Sequence, residues 1–449
     1  MGKYFGTDGF RGEANRELTA MHAFQLGQFL GSFYGSQARR ARVVIGKDTR
    51  ASGYMLEDAL CAGLTSAGAD AYLLHVTPTP SVSYVARTEG FDCGVMISAS
   101  HNPYWDNGLK LVNAQGEKME DAVIERAEAF LDAGASAPLA TRERIGRVVD
   151  HAAGRNRYIG YLISLATHSY KGLRVGLDCA NGSTWQLAES VFKALGAEVT
   201  VVGNTPNGEN INVNCGSTHI ENLQRLVIEH GLDVGFAFDG DADRCLACDE
   251  KGQEIDGDKV IALLAMNMKE KGRLDGNTAV VTVMSNLGFI KFMESQGIHT
   301  EKTAVGDRYV LENMRENGYA IGGEQSGHVI LLHHATTGDG ELTAGKLLKL
   351  LAESGKKMSE LNGIYAQYPQ VLVNVVANAA QKAAYKGDKV LADFIENEQQ
   401  KLMDMGRVLV RVSGTEPKIR VMVEGQDLEA IDLCAKRIVD KINERIIEG

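Results

Sequence analysis

The 449-residue sequence predicts an α/β protein, with three related α/β domains with mixed sheets and a smaller α+β C-terminal domain around a central cleft. Two observations lead to this fold class. Apolar strand-like runs alternate with helical segments three times along the chain, which is typical of α/β units. The residues from 368 onward break the alternation and combine three strand-like runs with two helical ones.

The first copy of the repeat begins with a short apolar strand at residues 42–46. A polar loop, KDTR, follows this strand, and residues 52–67 are predicted to be helical. Further strands are expected at residues 71–76 and 93–97, and the last of them leads into the motif SASHNP. Between this motif and Lys110 the sequence predicts a polar, glycine-bearing loop.

The second and third copies repeat this order, and their final strands again end in a polar motif, DGDADR and GEQSGH respectively. The predicted elements are strands at 173–178, 199–202, 233–238, 278–284 and near Ile298, and helices ending at Leu195 and Gln296 and spanning 309–317. Ligand sites in open α/β sheets lie at the carboxyl ends of strands. The three motifs are therefore expected to face one shared cleft.

The C-terminal part is predicted to have strands at 371–376, 408–412 and 419–423. Helical segments are expected at about 389–403 and at 428–447. Its polar loop contains a cluster of hydrogen-bond donors that predicts a phosphate-binding cradle made of side chains and backbone N–H groups. The cluster consists of Arg411, Ser413, Gly414, Thr415 and Arg420.

The composition excludes some classes of protein. Forty-seven basic residues against fifty-eight acidic ones give a net charge of −11, which argues against nucleic-acid binding. We expect no secretory signal, because residues 1–5 lack its apolar core, and no membrane association, because no apolar run approaches the length that would span a bilayer. The seven scattered cysteines favour reduced thiols and a cytoplasmic location. Cys245 and Cys248 form a single CxxC without a second pair, so buried thiols are favoured over a zinc site.

Asp239, Asp241 and Asp243 alternate along the chain directly after an apolar strand. In an extended backbone their carboxylates would share one side and repel one another, and Mg²⁺ or Mn²⁺ would relieve the repulsion. The closest alternative is the calcium-binding loop of an EF-hand, because Glu250 falls at position 12 of such a loop. However, Arg244 occupies position 6, where that loop needs glycine. Arg244 is better interpreted as a phosphate contact.

Ser100 is the candidate nucleophile or phosphate carrier, and Ser98 is the competing serine, which could instead cap the loop. The G-x-S-x-G elbow of serine hydrolases does not surround Ser100. His101 is interpreted either as a catalytic group or as a structural histidine that orients its neighbours.

Together these motifs resemble the α-D-phosphohexomutase superfamily along essentially the whole chain. The matching segments are ASHNP at 99–103, DGDADR at 239–244, GEQSGH at 323–328 and RVSGTEPKIR at 411–420, in the order that the superfamily has them. One departure is Ala242, which stands where glycine is usual. The predicted domains are residues 1–154, 155–255, 256–367 and 368–449.

The resemblance implies a role for each motif. Ser100 would be the phosphoserine, and the three aspartates would bind one Mg²⁺ per subunit with the phosphoserine as a further ligand. Arg11 and Lys110 would assist proton transfer near the phosphoserine, with His328 as a partner. Arg244 would contact the phosphate, and Glu324 and Ser326 would hold the sugar. The second phosphate would be bound by Arg411, Ser413, Gly414, Thr415 and Arg420.

The resemblance also implies an isomerase that moves a phosphoryl group between the 6- and 1-positions of a sugar through a 1,6-bisphosphate. GTDGFRG, GKDTR, VGDRYV and Gln325 resemble the members that act on glucosamine phosphate in UDP-N-acetylglucosamine synthesis. Members that act on glucose or mannose phosphates are the alternative, and a phosphatase or a sugar-phosphate sensor are more distant ones. Glucosamine or glucose 1,6-bisphosphate would be the activator, and a homodimer is an open option.

Overall fold

The computed structural model describes residues 2–36, 38–167, 169–413 and 417–447. It comprises two compact units, one formed by Met1–Met284 with Gly297–Ile364 and the other by Ser285–Gln296 with Tyr365–Gly449. Among the helices of the described residues, none has the length and the apolar character needed to cross a membrane.

The first repeat of the larger unit is built on a seven-stranded sheet. Its strands are β1 (Phe5–Gly6), β2 (Gly9–Glu13), β3 (Arg42–Lys47), β4 (Asp70–Val76), β5 (Cys93–Ile97), β6 (Asp106–Asn113) and β7 (Val148–Asp150). Its helices are α1 (Ala20–Tyr34), α2 (Ala51–Ser66), α3 (Thr79–Thr88) and α4 (Asp121–Asp132), with a 3₁₀ turn at Arg142–Arg144. The strand order is β1-β2-β6-β5-β3-β4-β7, and β6 runs antiparallel to both β2 and β5.

The second repeat contains a five-stranded sheet. Its elements are α5 (Ala152–Ser164), β8 (Arg174–Asp178), α6 (Leu187–Ala194), β9 (Glu198–Val202), α7 (Glu221–His230), β10 (Val234–Phe238), β11 (Cys245–Asp249) and β12 (Glu254–Ile255). The strand order is β12-β11-β10-β8-β9, with β11 antiparallel to β10.

The third repeat contains a four-stranded sheet. Its elements are α8 (Gly257–Glu270), a 3₁₀ turn at Asp275–Asn277, β13 (Thr278–Thr282), α9 (Leu287–Ser295), β14 (His299–Thr303), α10 (Asp307–Asn317), β15 (Ile321–Gly323), β16 (Val329–Leu331), α11 (Gly340–Ser354) and α12 (Met358–Asn362). The strand order is β14-β13-β15-β16, with β16 antiparallel to β15. Helix α9 follows β13 in the chain but belongs to the smaller unit.

The three sheets share one strand order, which confirms the internal repeat. The series β6-β5-β3-β4 in the first sheet corresponds to β11-β10-β8-β9 in the second and to β16-β15-β13-β14 in the third. Each polar motif lies in the loop between the last parallel strand and the antiparallel strand that closes the series. The three motifs therefore occupy equivalent positions in their repeats.

The closing strand of the first repeat differs from the sequence prediction. The sequence predicted a loop as far as Lys110, whereas β6 begins at Asp106 and Lys110 pairs with Met96 of β5. The residues at the start of β6 are polar or glycine and gave no strand signal, and the pairing of β6 with β2 joins segments far apart in the chain. Lys110 therefore projects from a strand in the middle of the sheet.

The smaller unit contains the α+β part of the chain. Its further elements are β17 (Gln370–Val376), α13 (Ala379–Gly387), α14 (Lys389–Lys401), a 3₁₀ turn at Met403–Met405, β18 (Gly406–Val412), β19 (Lys418–Gly425), α15 (Leu428–Ile442) and a π turn at Asn443–Ile447. The strand order β17-β19-β18 is antiparallel throughout. The three predicted strands are confirmed, and the last helix is shorter than predicted because its final turn widens.

Helices α1 and α2 approach each other closely through two glycines. A Cβ atom added to Gly63 would lie 2.0 Å from the carbonyl oxygen of Phe24, and one added to Gly27 would lie 2.4 Å from that of Leu60. Backbone atoms cannot move aside as a flexible side chain can. These two positions therefore require glycine for steric reasons.

We predict opposite effects on stability for two glycine-to-alanine substitutions. Gly63→Ala should lower the free energy of unfolding by about 1–3 kcal/mol, because the new methyl group separates α1 from α2. Gly160→Ala, at a position in α5 with nothing within 4 Å of the new Cβ, should raise it by about 0.5–1 kcal/mol through helix propensity. Chemical denaturation of both variants measures the difference, and equal shifts would contradict the close contact.

Candidate active site

Ser100 lies at the contact between the motif loops of the first and second repeats. Its side chain is buried, and its Oγ donates to an Asp239 carboxylate oxygen at 2.5 Å and lies 3.2 Å from Nδ1 of His101. Its φ is +53°, in the left-handed region that non-glycine residues seldom adopt. This conformation turns the hydroxyl out of the strand direction and towards the acidic loop.

Ser98 supports the loop rather than facing the acidic motif. Its Oγ donates to Asp48 at 2.6 Å and accepts from the backbone N–H of Ser100 at 2.9 Å. Both hydrogen-bonding functions of the hydroxyl are therefore used to hold the backbone of Ser100.

Arg50 holds the loop that carries Ser100 through hydrogen bonds to its backbone carbonyl oxygens. Its guanidinium is fully buried, pairs with Asp48 at 2.8 Å and donates at 2.9 Å to the carbonyl oxygens of Ser100 and Asn102. Further donations reach the carbonyl oxygens of Pro103 and, at 3.0 Å, Asp106. Five N–H donors in a rigid fork suit this arrangement, whereas lysine has a single nitrogen. The sequence indicated only a polar loop at this position.

The three aspartates of the second motif converge as the sequence predicted. Asp239, Asp241 and Asp243 are buried, and each offers a carboxylate oxygen within 4.8 Å of the others. Burial and repulsion from Asp243 and Asp241 raise the pKa of Asp239 to about 8. Oδ1 of Asp241 is buried without a hydrogen-bond partner among the described residues. A hard divalent cation fits this site, because oxygen ligands and excess negative charge are what such a cation requires.

Ala242 adopts a strained conformation between two of these aspartates. Its φ is +55°, and its side chain is fully buried. The left-handed conformation costs an alanine about 1–2 kcal/mol relative to the right-handed one. Gly340 donates to the Ala242 carbonyl oxygen at 3.0 Å and supports the turn. The loop thus keeps the geometry for which the superfamily usually has glycine.

Lys110 provides the positive charge nearest to the aspartates. Its Nζ lies 2.6 Å from Asp241, 3.3 Å from Asp243 and 3.1 Å from Asp8. Burial opposes the charged form, but the three carboxylates outweigh it and raise the pKa of Lys110 well above its usual value. Lys110 is therefore a cation at neutral pH, able to donate a proton rather than to accept one.

A wider network of charges surrounds Lys110. Asp8 pairs with Arg11 and with Lys118, the latter at 3.1 Å, and Lys118 lies 2.7 Å from Asp307. Asp8 and Asp307 belong to the motifs GTDGFRG and VGDRYV, which offered a sequence signal for them. Lys118 has no such signal.

Thr79 is another contact that the sequence did not indicate. It begins α3, and its hydroxyl donates to Oδ2 of Asp241 at 2.5 Å while its N–H donates to the Asp241 carbonyl oxygen at 2.9 Å. A threonine between two prolines carries no local pattern that points to an acidic loop more than a hundred residues away.

His101 and His328, the two histidines that the sequence indicated as site residues, lie in different surroundings. Burial, together with the charges of Arg244 and Arg11, lowers the pKa of His101 to about 4, so its ring is neutral at physiological pH. Nδ1 of His101 lies 3.2 Å from Arg244. His328 accepts from the N–H of Gly338 at Nε2, 3.0 Å away, and its Nδ1 lies 3.8 Å from Asp243. His328 thereby connects the third motif to the second.

Within the third motif, Glu324 and Ser326 stay accessible to a ligand. Glu324 is half-buried, accepts from the N–H of Gly306 at 3.1 Å and lies 3.4 Å from the exposed hydroxyl of Ser326. Gln325 instead donates to Asp256 at 3.0 Å, at the start of α8. Its side chain therefore anchors the loop.

The predicted phosphate cradle lies on the β18–β19 hairpin of the smaller unit. Arg411 and Arg420 are directly opposite each other in the two strands, and the N–H of Ser413 donates to the carbonyl oxygen of Lys418 at 2.9 Å. Side chains at opposite positions of two paired strands lie on the same face, so both arginines project from the face where the sequence predicted the cradle. Gly414 and Thr415 lie outside the described residues.

Comparison with protein families gives four matches in order along the chain. The descriptions are phosphoglucomutase/phosphomannomutase, alpha/beta/alpha domains I, II and III and C-terminal domain, and the matched residues are 2–137, 156–252, 256–368 and 347–441. The chain therefore belongs to the phosphoglucomutase/phosphomannomutase family. The resemblance that the motifs indicated is confirmed.

Individual proteins give the same result. A protein of Lachnospira eligens named phosphoglucosamine mutase is 56% identical over 448 residues, 99% of both chains. A phosphoglucomutase/phosphomannomutase family protein from Burkholderia thailandensis has a similar structure, with a TM-score of 0.81, 24% identity and coverage of 100% of this chain and 99% of that one. An Aspergillus fumigatus N-acetylphosphoglucosamine mutase, solved with GlcNAc-6P and magnesium, has a TM-score of 0.67 at 20% identity, covering 99% and 96%. These two structures show the shared fold.

We predict that Arg50→Lys destabilises the serine loop. A lysine cannot reach Asp48 and the four carbonyl oxygens together, so buried polar groups lose their partners, and the free energy of unfolding should fall by about 2–4 kcal/mol. Arg16→Lys is the matched control, because Arg16 is a largely exposed arginine that also pairs with a carboxylate. Denaturant titration of both variants measures the effect, and equal stability would show that the clamp is not needed.

Proposed function

We propose that this chain interconverts glucosamine 6-phosphate and glucosamine 1-phosphate, the activity of the phosphoglucosamine mutases it resembles. The observation that supports the proposal most directly is the hydroxyl of Ser100, which is buried against Asp239 in a site that combines three carboxylates with Lys110. A phosphoserine at this position would bring its charge next to the cation site. The family and the 56% identity to the Lachnospira eligens protein support the same substrate class.

The reaction exchanges one phosphoryl group between Ser100 and the sugar. The O1 hydroxyl of glucosamine 6-phosphate attacks the phosphorus on Ser100, the bond from phosphorus to Oγ breaks, and a 1,6-bisphosphate results. After the bisphosphate turns over within the cleft, Oγ attacks the 6-phosphate and leaves glucosamine 1-phosphate. The carboxylates of Asp239, Asp241 and Asp243 would hold a Mg²⁺. The ion would neutralise negative charge on the transferring phosphoryl group.

The residues around Ser100 divide the remaining tasks. Lys110 is a cation beside Asp241 and Asp243, and we assign to it the transfer of a proton from the attacking hydroxyl to the departing Oγ. Arg11 and Arg244 supply further positive charge at the phosphoryl group. His101 is neutral and 3.2 Å from Oγ, where it can orient the hydroxyl, and His328 holds the third loop beside Asp243.

The phosphate that is not reacting needs a second cationic site. Arg411 and Arg420 on opposite strands, with Ser413, Gly414 and Thr415 of the same loop, are the residues that we assign to it. Glu324 and Ser326 are assigned to the hydroxyl and amino groups of the sugar. Domains at residues 1–154, 155–255, 256–367 and 368–449, a cytoplasmic location, a homodimer and activation by glucosamine or glucose 1,6-bisphosphate stay predictions.

A coupled assay with phosphate mapping tests the function. Glucosamine 6-phosphate should give a higher kcat/KM than glucose or mannose phosphates. Ser100→Ala should lose activity by about a thousand-fold or more, because the phosphoryl carrier is gone. Ser98→Ala is the matched control, and phosphate should still map to residue 100 in that variant.

The alternatives give different results in these measurements. A higher kcat/KM for glucose or mannose phosphate would assign the chain to that branch of the family. Net release of inorganic phosphate would indicate a phosphatase, and binding without turnover would indicate a sensor. Phosphate found on Ser98 would contradict the assignment of the carrier.

We predict that Mg²⁺ stabilises the chelator-treated protein. Binding to the folded state contributes about 2.7 kcal/mol at a hundred-fold excess over Kd, so the melting temperature should rise by several degrees. Asp241→Asn should abolish the rise, because it removes one of the three carboxylates of the cation site. Asp58→Asn, an exposed aspartate on α2, is the control. An unchanged response in Asp241→Asn would contradict the metal assignment.

A further inference from the structure

A second cavity lies in the third repeat, outside the catalytic loops. It has a volume of about 330 Å³ and is bounded by the last turns of α8, the end of β16 and the middle of α11. Leu331, at the end of β16, pairs with Ile321, the first residue of β15. Glu324 follows the opposite end of β15. The cavity therefore lies at the edge of the sheet away from the sugar-binding loop.

Four basic side chains line this cavity: Lys271, Arg273, Lys346 and Lys349. Glu353 lies 2.6 Å from Lys271 and 3.7 Å from Lys349. In the part of the chain that the structure describes, neither Arg273 nor Lys346 forms an ion pair. The cavity is therefore positively charged on a chain whose net charge is −11.

The charges in the cavity affect one another. Lys346 is half-buried, and burial together with the charges of Lys349, Arg273 and Lys271 lowers its pKa to about 8. Burial and the charge of Lys346 likewise lower the pKa of His334, on the cavity rim, to about 4. Cations that repel each other in this way would be stabilised by an anion.

Apart from Asn267, His333 and His334, the remaining wall of the cavity is apolar. Leu264, Met268, Leu331 and Leu350 line it, and Ala320 lies beside them. A free phosphate would leave this wall in water, and a sugar ring would bring hydroxyl groups to aliphatic side chains that offer no hydrogen bonds. An anion with a flat, weakly polar ring would contact both the apolar wall and the cations.

We propose that this cavity is a second ligand site, which binds a nucleoside diphosphate with its base against the apolar wall and its diphosphate on Arg273 and Lys346. Lys271 and Lys349 would add positive charge at the rim. Two negatively charged phosphates match Arg273 and Lys346, which form no ion pair among the described residues. The site is distinct from the phosphate cradle of the β18–β19 hairpin, which belongs to the smaller unit.

The chain from His333 to Gly340 connects the cavity to the catalytic loops. His333 and His334 line the cavity, and four residues later Gly338 donates to Nε2 of His328 at 3.0 Å. Gly340 donates to the carbonyl oxygen of Ala242 in the acidic loop. Ligand contacts at His333 and His334 should therefore alter the position of His328, so we expect occupancy to change turnover. This expectation on turnover rests on the proposed function, whereas binding does not.

Calorimetric titration with uridine diphosphate and adenosine diphosphate tests the site. The protein is kept with Mg²⁺ and saturating glucosamine 6-phosphate, so that the catalytic cleft is occupied. One nucleotide should bind per chain, and inorganic pyrophosphate should bind about ten-fold more weakly because it lacks the base. Lys346→Ala and Arg273→Ala should each weaken nucleotide binding by about ten-fold or more, since each removes a charged contact.

Two control variants separate this site from the cleft. Lys302→Ala removes an exposed lysine from β14 of the same repeat and should leave binding within about two-fold of wild type. Arg420→Ala should also leave it unchanged, whereas a nucleotide bound at the phosphate cradle would lose affinity in that variant. Hydrogen exchange should show protection of the segments 264–273 and 331–350 on addition of uridine diphosphate.

Several results would overturn the proposal. The proposal is wrong if neither nucleotide binds, or if both Lys346→Ala and Arg273→Ala bind the nucleotides as wild type does. It is also wrong if pyrophosphate binds as tightly as the nucleotides. The link to turnover is overturned if saturating uridine diphosphate changes the mutase rate equally in wild type and Lys346→Ala. Failure of mutase activity with nucleotide binding intact would count against the proposed function and not against this site.

Discussion

The repulsion among three buried carboxylates is the constraint on which the rest of the site depends. Burial, together with repulsion from Asp243 and Asp241, raises the pKa of Asp239 to about 8, so positive charge near the loop stabilises the ionised carboxylates. Lys110 supplies part of that charge from a strand of another repeat. The acidic loop therefore links the first and second repeats electrostatically.

The shared strand order explains how these charges meet. In each repeat the loop between the last parallel strand and the closing antiparallel strand lies at the carboxyl edge of its sheet. The same scaffold thus presents Ser100 in one copy, three aspartates in the next, and Glu324 with Ser326 in the third. Contacts such as that of His328 with Asp243 hold the third loop against the second.

Two residues of the candidate site have a strained backbone. Ser100 and Ala242 both adopt left-handed conformations, each at a cost of about 1–2 kcal/mol. Arg50 holds the carbonyl oxygen of Ser100, and Gly340 holds that of Ala242. The hydrogen bonds around the loops therefore maintain conformations that the local sequence disfavours.

The sequence by itself determined the repeat, the order of the motifs, and Ser100 and the three aspartates as a site, because hydrophobic periodicity and short-range spacing are local properties. Only the tertiary structure decided that Lys110 lies in a strand, that Arg50 is a buried clamp, and that Thr79 and Lys118 join the charge network. These contacts connect residues far apart in the chain, and no local pattern encodes which distant carboxylate or carbonyl group a side chain will meet.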